Sequence, residues 1–252
     1  STPCGTLFPY TTLFRSGDDI REIAFSGIAD FHALEPETAA RQGGVLLIDV
    51  GAGVSEYVLF HEDGCMHSGQ LTVGCDQLAN DLALGLQIPI EFARQLVVEH
   101  GAATLEPDDV RRQVAVPAGG NVEREAPLSN IHKIMELRLQ ELFELICEDL
   151  ERHNVRALVS EGIILGGGGA LIPRLPELAQ QVFDTPARVA VPRRLEGMDE
   201  DHLDPRLLTP IGLLLLAQQF RRIDMLNRQP LHKMIRQEVG SIIDLARRAI
   251  KL

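Results

Sequence analysis

Positive charge is scarce in this chain: 24 Lys and Arg stand against 36 Asp and Glu, a formal net charge of -12. That balance excludes a general nucleic-acid binder, because the phosphate backbone rewards a basic surface. The four cysteines, Cys4, Cys65, Cys75 and Cys147, form no CxxC pair and no metal-ligand spacing. They read as buried thiols in a reducing compartment, which points to the cytoplasm. The longest apolar run, Ile211 to Ala217, is far shorter than the roughly 20 residues that span a bilayer. No signal peptide or internal repeat stands out, and the histidines at 32, 61, 67, 100, 132, 153, 202 and 232 are scattered without metal spacing.

What is there suffices for a globular fold. With 252 residues and 45% apolar content the chain can bury one large core or two modest ones. Residues 6–16, TLFPYTTLFRS, resemble the in-frame translation of a DNA-sequencing adapter; residues 1–16 are therefore set aside, and native sequence is expected from near Gly17. Asp18 to Ala40 reads as a helix ending at the turn RQGG. VLLIDVGAGVSEYVLF (45–60) is an apolar strand, a glycine turn and a second β-rich run. Helical spacing follows over 76–86 and 90–100, then an irregular stretch with short strands over 101–124. Ser129 is an N-cap candidate for a long helix whose stripe of Ile131, Met135, Leu139, Leu142, Ile146 and Leu150 is core packing. GIIL (162–165), GGGG (166–169) and a helix over 175–183 then give strand, glycine turn, helix.

Two glycine loops carry the chemistry. Phosphates need backbone N–H groups brought close, and glycine permits that approach without a Cβ clash. Asp49 leaves a buried strand just ahead of Gly51 and Gly53, which sets a carboxylate where it can hold a cation-bound water. Gly166, Gly167 and Gly168 open the strand-to-helix turn typical of nucleotide-binding α/β folds.

Taken in order, DVGAGVSEY (49–57) resembles the second phosphate loop of the actin, Hsp70 and sugar-kinase superfamily, and GIILGGGGALIPRL (162–175) resembles its adenosine loop. GLQIPIEFARQLVVEHG (85–101), VFDTPARVAVPRRLEGM (182–198) and LTPIGLLLLA (208–217) are similar to stretches of the FtsA cell-division family, and the likeness covers roughly residues 17–217. The resemblance implies an α/β, actin-like (ribonuclease H-like) ATPase domain, its second half, carrying an inserted α+β subdomain. On that reading 17–44 is a remnant of the first domain, 45–72 and 157–217 are the second-domain core, 73–156 is the insertion and 218–230 is a linker.

ATP and Mg2+ are the implied cofactors. Asp49, Gly51 and Gly53 would meet the phosphates and the metal's water, and Gly167 and Gly168 the adenosine, with Gly166 leading in. Ser55 stands where the family often has Thr, and Arg94 and Gln95 stand where it has Glu and Lys near the ribose and base. Gly74 and Cys75 replace a glycine pair, and Val54 replaces a hydroxyl side chain. These departures imply weak binding and slow hydrolysis. The implied partners are the FtsZ carboxy-terminal peptide, further copies in a filament, and the inner face of the membrane at the division site. An assembly protein of type IV pili and a superfamily sugar or acid kinase remain alternatives.

The last segment supports the membrane reading. After Pro230, Leu231, Met234, Ile235, Val239, Ile242, Ile243 and Ile250 share one helical face, and Lys233, Arg236, Arg247, Arg248 and Lys251 lie on the other. A basic amphipathic helix on an acidic chain suits an anionic membrane surface.

Overall fold

The structure, a computed structural model, describes residues 23–34, 43–62, 64–119, 122–198 and 203–228. Its central element is β1 (Gly44–Val50), whose run GVLLIDV is buried along almost its whole length. An uninterrupted apolar strand needs cover on both faces, and β1 has it. It pairs antiparallel with β2 (Ser55–His61) on one side and parallel with β6 (Val159–Gly166) on the other. β3 (Gly64–Leu71) and the three-residue β7 (Ala187–Val189) complete a five-stranded sheet in the order β3-β2-β1-β6-β7. The edges are managed as edges should be, by alternating polar exposure on β3 and by brevity on β7.

One face of the sheet is covered by α1 (Ser26–His32) and α6 (Leu208–Arg228), which pack along one another over Val45, Leu47 and Ile164. The other face presents Leu46, Ile48, Tyr57 and Leu59 to α2 (Cys75–Leu86), α4 (Leu128–Arg152) and α5 (Leu175–Phe183). Between β3 and β6 the chain also forms α3 (Ile90–His100) and a separate two-stranded ladder of β4 (Gln113–Gly119) and β5 (Val122–Pro127). All six residues of the predicted α4 stripe are buried.

Three expectations change. Within the described residues the first helix is confined to Ser26–His32, and its N-cap is Phe25. Leu34 forms a bridge with Pro192, and Arg193 N–H bonds to the Ala33 carbonyl at 2.6 Å, which ties the segment after α1 to the strand-like stretch after β7. Ser129 is not the cap of α4: β5 runs straight into the helix through Pro127, and the Leu128 amide is satisfied by the Arg112 carbonyl at 2.9 Å. The segment read as a linker from residue 218 is helical through Arg228, because α6 continues past Ala217 with no glycine or proline to stop it. Residues 231–252, with the expected membrane-binding set of apolar Leu231, Met234, Ile235, Val239, Ile242, Ile243 and Ile250 and cationic Arg247 and Arg248, lie outside the described residues. Among the described residues no helix is long and apolar enough to cross a membrane.

The expectation of buried thiols changes, because no cysteine is fully buried among the described residues. Cys75 and Cys147 are half-buried thiols, and burial pushes Cys75 up to about 11, so it is unreactive at neutral pH. Cys65 is exposed on the edge strand β3.

Candidate functional site

The β1–β6 pairing brings the two glycine loops together. Both loops leave the carboxyl ends of adjacent parallel strands, with Asp49 in register with Gly166. That is the position at which open α/β sheets bind ligands. The first loop closes with the Gly51 amide on the Val54 carbonyl at 3.0 Å, and then anchors α2: the Cys75 and Asp76 amides bond to the Gly51 and Ala52 carbonyls at 3.0 and 2.8 Å. Gly74, at the N-cap of α2, lies so close that a Cβ there would stand 2.6 Å from the Gly51 carbonyl oxygen. Close backbone approach is therefore kept at this position although Cys75 has replaced a second glycine.

In the second loop Gly167 has φ +75° and ψ -179°, a region open essentially to glycine alone. A side chain there would overlap the Asp49 carboxylate and stand 2.6 Å from the Val50 carbonyl oxygen. The Gly167 amide is held by the Pro205 carbonyl at 3.2 Å. Gly167 thus seats one loop on the other. Gly53 and Gly168 differ from it, because nothing lies within 4 Å of a Cβ built at either, and they leave the backbone open to an incoming group.

Between the loops lies a largely apolar cleft of about 350 Å3, walled by Gly51, Ala52, Cys75, Gly168 and Gly169, by Val97 and Val98 of α3, and by Leu171 to Pro173 and Arg206. Val98 and Leu171 are exposed, as side chains at the rim of a ligand cleft would be. Arg206 is gripped by Asp204 through Nε and Nη2, the shortest bond being 2.6 Å.

The Asp49 carboxylate projects from the α1/α6 side of the sheet and meets a residue that the sequence reading passed over. Asp30 of α1 is fully buried, and neither of its oxygens reaches a partner in hydrogen-bonding geometry, although Thr209 and Asp49 stand beside it. Burial above all pushes Asp30 up to about 7. Burial also raises Asp49, Glu56 adds to the rise, and Asp30 works against it. Two desolvated carboxylates, one of them with both oxygens unpartnered, form a hard-oxygen donor pair of the kind that suits Mg2+.

Other expected site residues sit elsewhere. Ser55 is fully buried, and its Oγ donates to the Val73 carbonyl at 2.7 Å, so it fastens β2 to the segment ahead of α2 and faces no ligand. Arg94 pairs with Glu91 at 2.9 Å and with Asp76 at 3.7 Å, and Gln95 is exposed. Neither lines the cleft, which α3 meets one half-turn later through Val97 and Val98. Val98 and Asp30 had a sequence signal: an apolar residue off its helix's buried stripe, and a lone acid among apolar neighbours.

Comparison with known proteins agrees with this architecture. The family described as cell division protein FtsA matches residues 46–212. The FtsA of Borreliella burgdorferi is 27% identical over 218 residues, 85% of this chain and 52% of that protein. The FtsA of Pseudomonas aeruginosa is 28% identical over 206 residues, 81% of this chain and 49% of that protein. The chain therefore spans about half the length of the curated relatives it matches. Among solved structures, MreB5 of Spiroplasma citri bound to ADP superposes with a TM-score of 0.68 at 16% identity, covering 85% of this chain and 65% of that one. The PilM–PilN type IV pilus biogenesis complex gives 0.58 at 18% identity, covering 77% and 52%. These likenesses show an actin-like fold, and with the match across residues 46–212 they establish that this chain belongs to the FtsA family.

Proposed function

We propose that this chain supplies one wall of the ATP site of an actin-like cell-division protein that polymerises and tethers the FtsZ ring to the cytoplasmic membrane. The observation that carries the nucleotide part is the docking of the two glycine loops, with Gly51 and Gly168 lining a cleft of about 350 Å3 and Gly168 leaving its backbone open there. The cleft's apolar wall of Val97, Val98, Leu171 and Ile172 suits the flat face of a base, and the backbone of Gly51 and Ala52 suits phosphate oxygens. Bound Mg2+ would supply charge neutralisation at the phosphates. Asp49 and Asp30 would hold the metal's water shell, Asp30 through its two unpartnered oxygens, and Gly167 fixes Asp49 by leaving its carboxylate no room to swing toward the second loop. No general base for a sugar or acid substrate stands in the cleft among the described residues, which favours slow nucleotide turnover over kinase chemistry.

The remaining parts rest on family membership and on the sequence of residues 231–252. The FtsZ carboxy-terminal peptide, filament formation and an anionic membrane surface are the proposed partners, with the protein peripheral on the inner face of the membrane at the division site. Co-sedimentation with anionic vesicles tests the anchor. The chain should pellet with them at low salt and less with neutral vesicles, and Ile242→Asp or Ile243→Asp should abolish pelleting. Unchanged pelleting of both variants would refute the anchor.

A further inference from the structure

We infer that His67, Asp149 and His153 form a binding site for a divalent transition-metal ion of the Zn2+ class, on the face of the sheet opposite Asp49. The residues are 82 and 86 positions apart in sequence from first to later members, which is why the spacing of the histidines shows nothing. The fold brings them together: His67 projects from β3, Asp149 from the last turn of α4, and His153 is the C-cap of that helix. One ligand atom from each lies within 4.8 Å of the other two. His67 Nε2 is 2.6 Å from Asp149 Oδ2, and the two imidazole rings lie 4.4 Å apart, centroid to centroid; His153 Nδ1 is 3.5 Å from Asp149 Oδ1 and donates to the Asp149 carbonyl at 2.8 Å, so an ion would take this ring through Nε2 or displace that bond.

The chemistry of the set selects the ion. Donors around a tetrahedral ion at 2.0–2.1 Å stand roughly 3.4 Å apart, so shifts of about an ångström would complete the arrangement. Two imidazoles and one carboxylate suit Zn2+, Co2+ or Ni2+, whereas Mg2+ and Ca2+ prefer oxygen shells. Asp149 and His153, at i and i+4, lie on one side of a helix end, the spacing by which helices hold metals in two-point fashion. Beyond the three ligands, Tyr57 Oη donates to Asp149 Oδ2 at 2.6 Å, an outer partner that orients the carboxylate. The His153 side chain is about half exposed, so water can complete the coordination. An ion held here would pin the edge strand β3 to the far end of the 25-residue α4.

The site is separate from the proposed nucleotide site, since Tyr57 pairs with Ile48 on the α4 face while Asp49 projects from the α1/α6 face. The test uses the whole chain, free of any affinity tag and stripped with a chelator, titrated with Co2+ and read by the visible d–d absorption that imidazole and carboxylate ligation produces. One equivalent should bind with Mg2+ in excess, and Zn2+ should displace it. His153→Ala, at an exposed helix end where folding is not at stake, should weaken Co2+ at least about tenfold; Tyr57→Phe should weaken it about tenfold through the lost outer partner. Cys65→Ser should change nothing. An absent d–d band, a Co2+ affinity unchanged in His153→Ala, or a sulfur-to-metal charge-transfer band lost in Cys65→Ser would each overturn the site and leave the three residues as an ion-pair cluster.

Discussion

Replacing Gly167 by Ala should damage the protein far more than the same change one residue later. At Gly167 the backbone has φ +75° and ψ -179°, where a Cβ costs about 1–3 kcal/mol of conformational strain. The added methyl would also overlap the Asp49 carboxylate and stand 2.6 Å from the Val50 carbonyl oxygen, an overpacking worth another ~1–3 kcal/mol. The sum, about 2–6 kcal/mol, is a large share of the ~5–15 kcal/mol that holds a domain folded. At Gly168 nothing lies within 4 Å of a built Cβ, so Gly168→Ala should change stability by less than about 1 kcal/mol while placing a methyl in the cleft. Urea denaturation followed by circular dichroism measures both, provided the slopes of the transitions agree. A neutral Gly167→Ala, or equal losses at 167 and 168, would refute the claim that Gly167 seats one loop on the other and Gly168 faces the ligand.

Three other outcomes follow from named contacts. Ser55→Ala should cost about 1 kcal/mol by removing the bond from the buried Ser55 hydroxyl to the partly buried Val73 carbonyl, and should leave nucleotide affinity unchanged; a specific loss of affinity would return Ser55 to the site. Asp30→Asn should stabilise the chain at pH 8. A carboxylate raised from its ordinary value to about 7 opposes folding as pH climbs from near 4 to 7, so the gain should shrink toward pH 4 in thermal melts; lower stability of the variant at pH 8 would contradict the orphan carboxylate. Asp109 should behave in the opposite sense. Burial works to raise it, but the Glu106 amide at 2.8 Å, His132 at 2.7 Å and Arg174 outweigh that and hold it below the usual carboxylate range. Its stabilising contribution should be present at neutral pH and fade as acid protonates it. Asp109→Ala should cost about 3–5 kcal/mol at pH 7, and a loss under 1 kcal/mol would refute the coupling.

What the sequence made legible follows distance along the chain. The bounds of α3 and α5 were readable because Pro89, the amphipathic spacing and the flanking turns are local signals. The glycine loops were readable because each is a few consecutive residues whose chemistry depends on lacking side chains. Local signals also misled: Ser129 has the right chemistry for an N-cap, but β5 delivers the chain to α4 two residues earlier, with Pro127 at the cap position, and the polar composition after Ala217 hid a helix that continues. What stayed hidden was set by packing between distant segments. The meeting of Asp30 with Asp49 depends on α1 docking beside α6, and that of His67 with His153 on β3 reaching the end of α4. Ser55 was misassigned because a hydroxyl beside a glycine loop faces ligand or core according to strand parity, and the register of β2 turns it inward.

The most direct measurement is a titration of the 15N-labelled chain with Mg-ATP, followed by amide chemical shifts. A single wall of a cleft loses the enclosure on which affinity depends, so binding should be weak and shifts should move gradually without saturating at micromolar nucleotide. The amides that move should be those of Gly51 to Val54, Val97, Val98 and Gly168 to Leu171, and Gly168→Val should suppress them together. No movement up to millimolar Mg-ATP, or movement confined to residues outside that set, would contradict the assignment of this cleft to a nucleotide.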